Sequence, residues 1–314
     1  MLLLDNDLKP DTVQTIAASD YDMVVIDDLA SMKDHSADDV AAKVRALQVK
    51  PDGSRRIVIA YLNVGQAEDY RTYWLKGWRI GSPSWILATD PDGWKGNYPV
   101  AYWDAAWQTT IAGQDGLLKS IVDLGFDGVY LDWIGGFEDD RVIAAARRVG
   151  VDAREEMIRW VAQVSTAAKA LKPGFKIIGQ NATALLTDEA YLAALDGVAQ
   201  EDIWFTGGDG GPEGDCPVPR TASDVGNPAF VEQLPKPCLR AFRKDRSNAM
   251  HFAGESEIVP LLDIARAQNK AVFTVDYALH SSNVAWVAAR SRTLGFVPFV
   301  GARSLSAYIP PAPE

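Results

Sequence analysis

The run Gly125-Phe126-Asp127-Gly128-Val129-Tyr130-Leu131-Asp132-Trp133 is a short apolar strand that closes on a carboxylate beside an indole. A buried strand has no cause to finish on an acid unless that acid faces a pocket, caps the next helix or is paired. Counting this run, eight apolar, β-branched or aromatic stretches recur along the chain, at 21–26, 57–62, 98–103, 126–131, 175–178, 197–205, 271–275 and 296–300. Helical patterns with apolar residues near every third or fourth position lie between them, for example at 37–47, 108–124, 152–171, 188–195, 257–268 and 283–294. Strand then helix, eight times, reads as a (β/α)8 barrel of the TIM type, in the α/β class. Ser36 and Ser282 stand where N-caps belong, and Pro173-Gly174 and Gly295 where helices stop. An open doubly wound sheet is the alternative, but no GxGxxG follows the first strand.

The 314 residues, 47% hydrophobic and 23% charged, have the composition of a globular protein, and barrels of this size commonly form one domain, here 1–314. The rhythm breaks at about 206–254, where glycines and prolines cluster. A loop inserted there, after the sixth strand, emerges on the face where barrels hold their sites. Cys216 and Cys238 both fall inside it; their spacing is no metal motif, and a disulfide and two free thiols both remain open. His35, His251 and His280 lie far apart without HxH or HExxH pairing, so neither metal nor cofactor is expected. A formal net charge of -11 without a Lys/Arg cluster excludes a nucleic-acid partner. The start Met1-Leu2-Leu3-Leu4-Asp5 is too short and lacks the basic lead of a signal peptide, and no stretch approaches the ~20 apolar residues of a membrane helix.

In such a barrel the C-terminal ends of the strands face the site. Those ends carry Asp27 and Asp28; Tyr61 and Asn63 with Gln66, Glu68 and Asp69; Tyr102, Trp103 and Asp104; Asp132 and Trp133; Gln180 and Asn181; Glu201 and Asp202; and Asp276, Tyr277 and His280. One acid at a strand end is commonly an N-cap, and Asp69 and Asp104 fit that reading. Carboxylates and amides converging with Trp and Tyr suit a sugar, whose C–H faces stack on rings and whose hydroxyls need polar partners. Glycoside hydrolysis requires two carboxyl groups flanking the scissile bond, and Asp132 with Glu201, from the fourth and sixth strands, is the expected pair. Asp27, Asp28, Tyr61, Asn63, Glu68 and Tyr102 are expected to bind substrate. So are Trp103, Trp133, Gln180, Asn181, Asp276 and Tyr277.

Tyr61-Leu62-Asn63-Val64-Gly65-Gln66-Ala67-Glu68-Asp69-Tyr70-Arg71, with Tyr73-Trp74, resembles the Y-[IL]-[NS]-[IV]-G-E-A-E-x-Y-R signature of glycoside hydrolase family 114. The likeness continues in order through Tyr102-Trp103-Asp104, Trp107-Gln108, 125–133, Gln180-Asn181 and Gln200-Glu201-Asp202. It implies a TIM-type barrel that cleaves α-1,4-linked galactosamine polymers in endo fashion, with Asp132 and Glu201 as catalytic acids. It also implies a secreted or periplasmic setting, with a cytoplasmic one as the alternative; a monomer is expected. Two departures stand out: Gln66 where the signature has Glu, and Gly179-Gln180-Asn181-Ala182-Thr183 for a usual Pro-Gln-Asn-Gly-Glu. A carbohydrate-binding barrel without catalysis, or with another specificity, is the alternative. A polymer carrying free amines would give the negative charge a purpose, with Asp27, Asp28, Glu68 and Asp276 meeting ammonium groups.

Overall fold

A computed structural model describes residues 1–4, 9–27, 31, 36–207, 211–244, 250–306 and 308–309. Among these, eight parallel strands form a nearly closed (β/α)8 barrel: β1 Leu2–Leu4, β2 Met23–Asp27, β3 Ile57–Asn63, β4 Gly128–Asp132, β5 Lys176–Gln180, β6 Gly197–Glu201, β7 Ala271–Tyr277 and β8 Val297–Gly301. Each pairs with the next, in registers such as Asn63 beside Asp132 and Val275 beside Glu201. Strands covered on both faces should be apolar throughout, and all five residues of β2 are buried.

Two expectations about the strands are corrected. The barrel begins at Leu2–Leu4, a three-residue strand paired with Val24 to Ile26, so the stretch at 21–26 is the second strand. The stretch at 98–103 is not in the barrel: Asn97–Pro99 pairs antiparallel with Gln66–Glu68 in an excursion between β3 and β4. Pro99 has no N–H to give a central ladder, which suits an edge pair. The two shifts cancel, so Asp132 and Glu201 remain on the fourth and sixth strands. The stretch at 197–205 is also cut, since Asp202 has φ 56 and ends β6.

The helix ends follow local chemistry. Ser36 accepts from the Asp39 N–H, and Asp104 from the Ala106 N–H, as N-caps should. His280, not Ser282, precedes the helix Ser281–Thr293; Ser282 lies in its first turn, hydrogen-bonded to the His280 ring. No helix starts at Asp69, whose carboxylate takes the Tyr98 hydroxyl at 3.2 Å. The span 108–124 is two helices, Ala105–Ala112 and Leu117–Asp123. Trp107 and Trp160, from separate helices, both donate their indole N–H to the Val64 carbonyl at 3.0 Å. That pins the backbone just beyond β3.

The described residues of the segment between β6 and β7 form structure of their own. It holds a Phe205–Thr206/Cys216–Pro217 hairpin, the helices Pro228–Glu232 and Lys236–Lys244, and a Cys216–Cys238 disulfide over a small apolar cluster with Leu234. Asp215 fastens it to the end of β7 by accepting the Leu279 and His280 N–H groups and the Asn283 amide. Glu213 fastens it to the end of β8, its carbonyl taking the Arg303 N–H at 2.8 Å and its carboxylate the Ser304 N–H at 2.9 Å. The segment is therefore tied down over the strand ends.

Candidate active site

Beyond β4, β5 and β6 the chain turns through left-handed residues: Trp133 (φ 60), Asn181 and Ala182 (φ 55 and 53), and Asp202 (φ 56). Non-glycine residues pay for this conformation, and such strain gathers where the surrounding structure holds a site in place. These turns open a cleft of about 720 Å³ whose floor is Asp132, Trp133, Gln180, Asn181, Glu201 and Asp202. Pro91 and Asp92 form part of one wall, and Phe252, Glu257, Ile258 and Leu261 another. With Glu138, Asp139 and Asp140, eight acidic residues line it among the described residues, and no described lysine, arginine or histidine does.

Asp132 receives the Tyr61 hydroxyl on Oδ2 and the Trp133 N–H on Oδ1 at 2.7 Å. Burial, opposed by the Tyr61 hydrogen bond and reinforced by the charge of Glu201, pushes its carboxyl up from 3.8 to about 7. Glu201 takes amide donors from Gln180 and Asn181 on Oε2, the latter at 2.9 Å, and the Tyr277 hydroxyl on Oε1. Both carboxylates are thus fixed in orientation by neutral donors. Tyr61 and Tyr277, expected to bind substrate, give their hydroxyls to the two acids. Gln180 and Asn181 both line the cleft and brace Glu201.

The remaining expected residues divide. Trp133 lines the cleft, its indole held between Gly65 and Gly136. Asp27 and Glu68 do not line it. They are buried and share Arg71, at 2.7 and 2.8 Å, in an ion-pair network at the β2 and β3 ends. A buried network of this kind is costly to break, because one lost partner strands a charge. Asn63 spends its side chain on Gln66 and on the Gly65 and Gln66 N–H groups. Tyr102 is buried, bonds the Ala153 carbonyl at 2.7 Å, and stacks edge-on with Trp103, away from the cleft. Asp276 is fully buried; its Oδ1 takes the Trp204 and Phe205 N–H groups, and burial lifts its carboxyl to about 7. Asp28 and His35 lie outside the described residues. Among the described residues no cluster of ligating side chains suits a metal.

Gln66 has a structural account. It is buried, gives its amide N–H to Asp90 at 2.6 Å, and accepts from Asn63 and Asn97 at 3.1 and 3.2 Å. A glutamate there would meet Asp90 with no donor, so the neighbours require the amide. The sequence reasoning missed the wall acids Asp92, Glu138, Asp139, Asp140 and Glu257.

The clamp on Trp133 is testable. A Cβ on Gly136 would come within 2.4 Å of two indole carbons. Gly136→Ala is expected to displace the ring and lower kcat/KM about 10- to 100-fold on whichever polysaccharide the wild type cleaves, with the melting temperature little changed.

A model of glycoside-hydrolase family GH114 matches residues 8–311. An uncharacterised protein of Deinococcus radiodurans is 31% identical over 299 residues, covering 95% of this chain and 78% of its own. An uncharacterised protein of Thermotoga maritima is 34% identical over 198 residues, covering 60% and 56%, so the chain spans just over half of that relative. Among solved structures, the glycoside hydrolase domain of PelA from Pseudomonas aeruginosa superposes with a TM-score of 0.60 at 18% identity, over 98% of this chain and 95% of that one. Aspergillus fumigatus Ega3, solved with galactosamine, gives 0.57 at 15% identity, over 98% and 92%. At those identities the two structures speak for the barrel fold. The family match runs almost from end to end over a barrel whose strand ends form one acidic cleft, and the chain belongs to glycoside-hydrolase family GH114.

Proposed function

We propose that this glycoside hydrolase cleaves α-1,4-linked galactosamine-containing polysaccharide at internal bonds, with Asp132 and Glu201 as its catalytic carboxyl pair and residues 1–314 as one catalytic unit. The observation that carries the reading is two oriented carboxyls from β4 and β6 in one open cleft, one of them raised to about 7. Hydrolysis of a glycosidic bond needs one protonated and one ionised carboxyl. The excess of acids on the walls supports a substrate bearing free amines, and Ega3 is a fold relative solved with galactosamine. The Cys216–Cys238 bridge supports a secreted or periplasmic setting, where disulfides persist. The test is incubation with galactosamine-rich exopolysaccharide and mass analysis of the products. Hexosamine oligomers of several lengths are expected; monomer alone, or no product, would defeat the reading. If the amines are held by cleft acids, cleavage should also weaken steeply between low and high ionic strength, and a flat response would remove the cationic substrate.

The pH dependence follows from the pair rather than from either acid alone. Below about 7 Asp132 keeps its proton; above it that proton, which hydrolysis by such a pair needs, is gone. Activity is expected to fall as pH rises through about 7, read as kcat/KM against pH. Stability should move the same way. Asp132 and Asp276 both stand near 7 in the folded chain against an ordinary 3.8, so the folded state binds more protons than the unfolded one between those values. Their stabilising contribution is present below pH 3.8 and is lost as pH rises through about 7. With other groups unchanged, thermal melts at pH 5.5 should lie above those at pH 8.

A further inference from the structure

The walls of the cleft differ in kind. The wall beyond β4 is acidic, with Glu138, Asp139 and Asp140, whereas the wall leading into β7 is largely apolar, with Phe252, Ile258 and Leu261 beside one acid, Glu257. Phe252 is 42% exposed, although Ala253 and Gly254 next to it are buried. Apolar side chains exposed singly over a surface call for no account. Among the described residues, however, Phe252 is the one large exposed apolar side chain that lines the cleft, and Trp133, on the floor beside Asp132, is the other ring there. The backbone after Phe252 is held firmly. Gly254 gives its N–H to the Pro219 carbonyl at 2.9 Å and Ser256 to the Arg220 carbonyl at 3.0 Å, and a Cβ on Gly254 would collide with the Ile203 carbonyl, two residues beyond Glu201. The turn Gly254–Ile258 is π-helical and runs into the helix Val259–Ala267. Such turns are rare and gather at functional sites; this one leaves Ile258 and Leu261, three positions apart on one helix face, half-buried in the wall they share with Phe252.

Resting on the polysaccharide-hydrolase reading above, we propose that Phe252 is a specificity-determining residue: its ring is the platform on which a sugar of the chain stacks, apart from the sugars at the scissile bond, so that long chains are preferred over short ones. The C–H face of a pyranose is apolar and lies flat on an aromatic ring, and the contact removes apolar surface of both partners from water. The polar edges of the same chain remain free to meet the acidic wall. Phenylalanine carries no polar atom, so it adds nothing to the bond being broken and binds ground state and transition state alike. Its effect therefore belongs in KM, and only for chains that reach it. A platform already fixed by its backbone also costs the complex little ordering.

The experiment compares wild type, Phe252→Ala and Phe252→Trp on a ladder of galactosamine oligomers of increasing length, measuring kcat, KM and equilibrium binding for each. Phe252→Ala is expected to raise KM about 5- to 10-fold on the long oligomers, to leave kcat there within about twofold, and to leave kcat/KM on the shortest cleaved oligomer unchanged. Phe252→Trp keeps a flat ring and should restore the dependence on length. A residue that only shaped the wall would alter short and long oligomers alike, and the bulkier indole would not rescue it. An equal loss on every oligomer, no loss on any, or a Trp variant no better than Ala overturns the inference. Wild type that cleaves none of the ladder, yet binds long oligomers more tightly than short ones in a Phe252-dependent way, defeats the hydrolytic reading and leaves this inference standing. Binding of none defeats both.

Discussion

Glu201→Gln is expected to lower kcat by about a thousandfold or more on the polymer that the wild type cleaves, and Asp132→Asn by a similar factor, with neither variant unfolded. The substitutions are nearly isosteric, so the loss would report chemistry rather than shape. In the Asn variant the Trp133 N–H still finds the amide oxygen, and the Tyr61 hydroxyl, already within 3.4 Å of the Asn63 amide, can turn to accept the new N–H. In the Gln variant the amide oxygen keeps the Gln180 and Asn181 donors while its nitrogen faces Tyr277, whose hydroxyl can reverse likewise. Removing Asp132 also relieves a buried acid held at about 7, so its melting temperature near neutral pH should equal or exceed that of wild type. Turnover within about tenfold of wild type in either variant, at matched folding, would dismiss that residue from the pair.

How much of this was legible in the chain depends on which residues set each feature. The alternation of strand and helix was, because burial on both faces demands the apolar runs that β2 to β8 display. Leu2–Leu4 was not, because three residues carry no period and only pairing with β2 makes them a strand. The stretch at 98–103 misled because an aromatic apolar run reads alike on a barrel strand and on an edge pair. Asp132 and Glu201 were legible as acids ending buried strands. The destination of Asp27 and Glu68 was not: both end strands as Asp132 does, and only the fold brings Arg71 between them. Tyr61 and Tyr277 were recognised as site residues, but the sequence could not say that their hydroxyls meet the two carboxylates. The wall acids were hidden for another reason. Asp139 caps the helix Asp140–Val149, and a cleft acid that is also an N-cap looks like an N-cap in any sequence.

The largest stability effect should come from the opposite face of the barrel. Arg56 immediately precedes β3, is 0% exposed, and hydrogen-bonds four carbonyls: Tyr21 at 2.7 Å, Leu47 at 2.7 Å, Ser19 at 2.6 Å and Ala17 at 3.4 Å. Ala17 and Leu47 are the last residues of the helices Pro10–Ala17 and Ala37–Leu47, so one guanidinium closes two helix ends whose carbonyls lack intrahelical donors and whose dipoles favour a cation. Burial holds its pKa below the ordinary arginine value, yet the planar fork of five N–H groups is what lets one side chain serve carbonyls converging from three segments. Arg56→Met fills much of the same volume and offers no donor. It is expected to cost about 3–5 kcal/mol, since buried carbonyls lose their partners together. For a chain of this length that corresponds to a fall in melting temperature of roughly 5–8 °C. Arg56→Lys should recover only part of it, because a single ammonium on a flexible stem reaches fewer of the four carbonyls. Activity per folded molecule should stay near wild type, because β3 separates Arg56 from the cleft by the full length of seven residues, about 20 Å. Urea unfolding of the three proteins checks the order wild type, Lys, Met; a Met variant as stable as wild type would mean that water satisfies those carbonyls and that the arginine is not what joins the helices to the barrel.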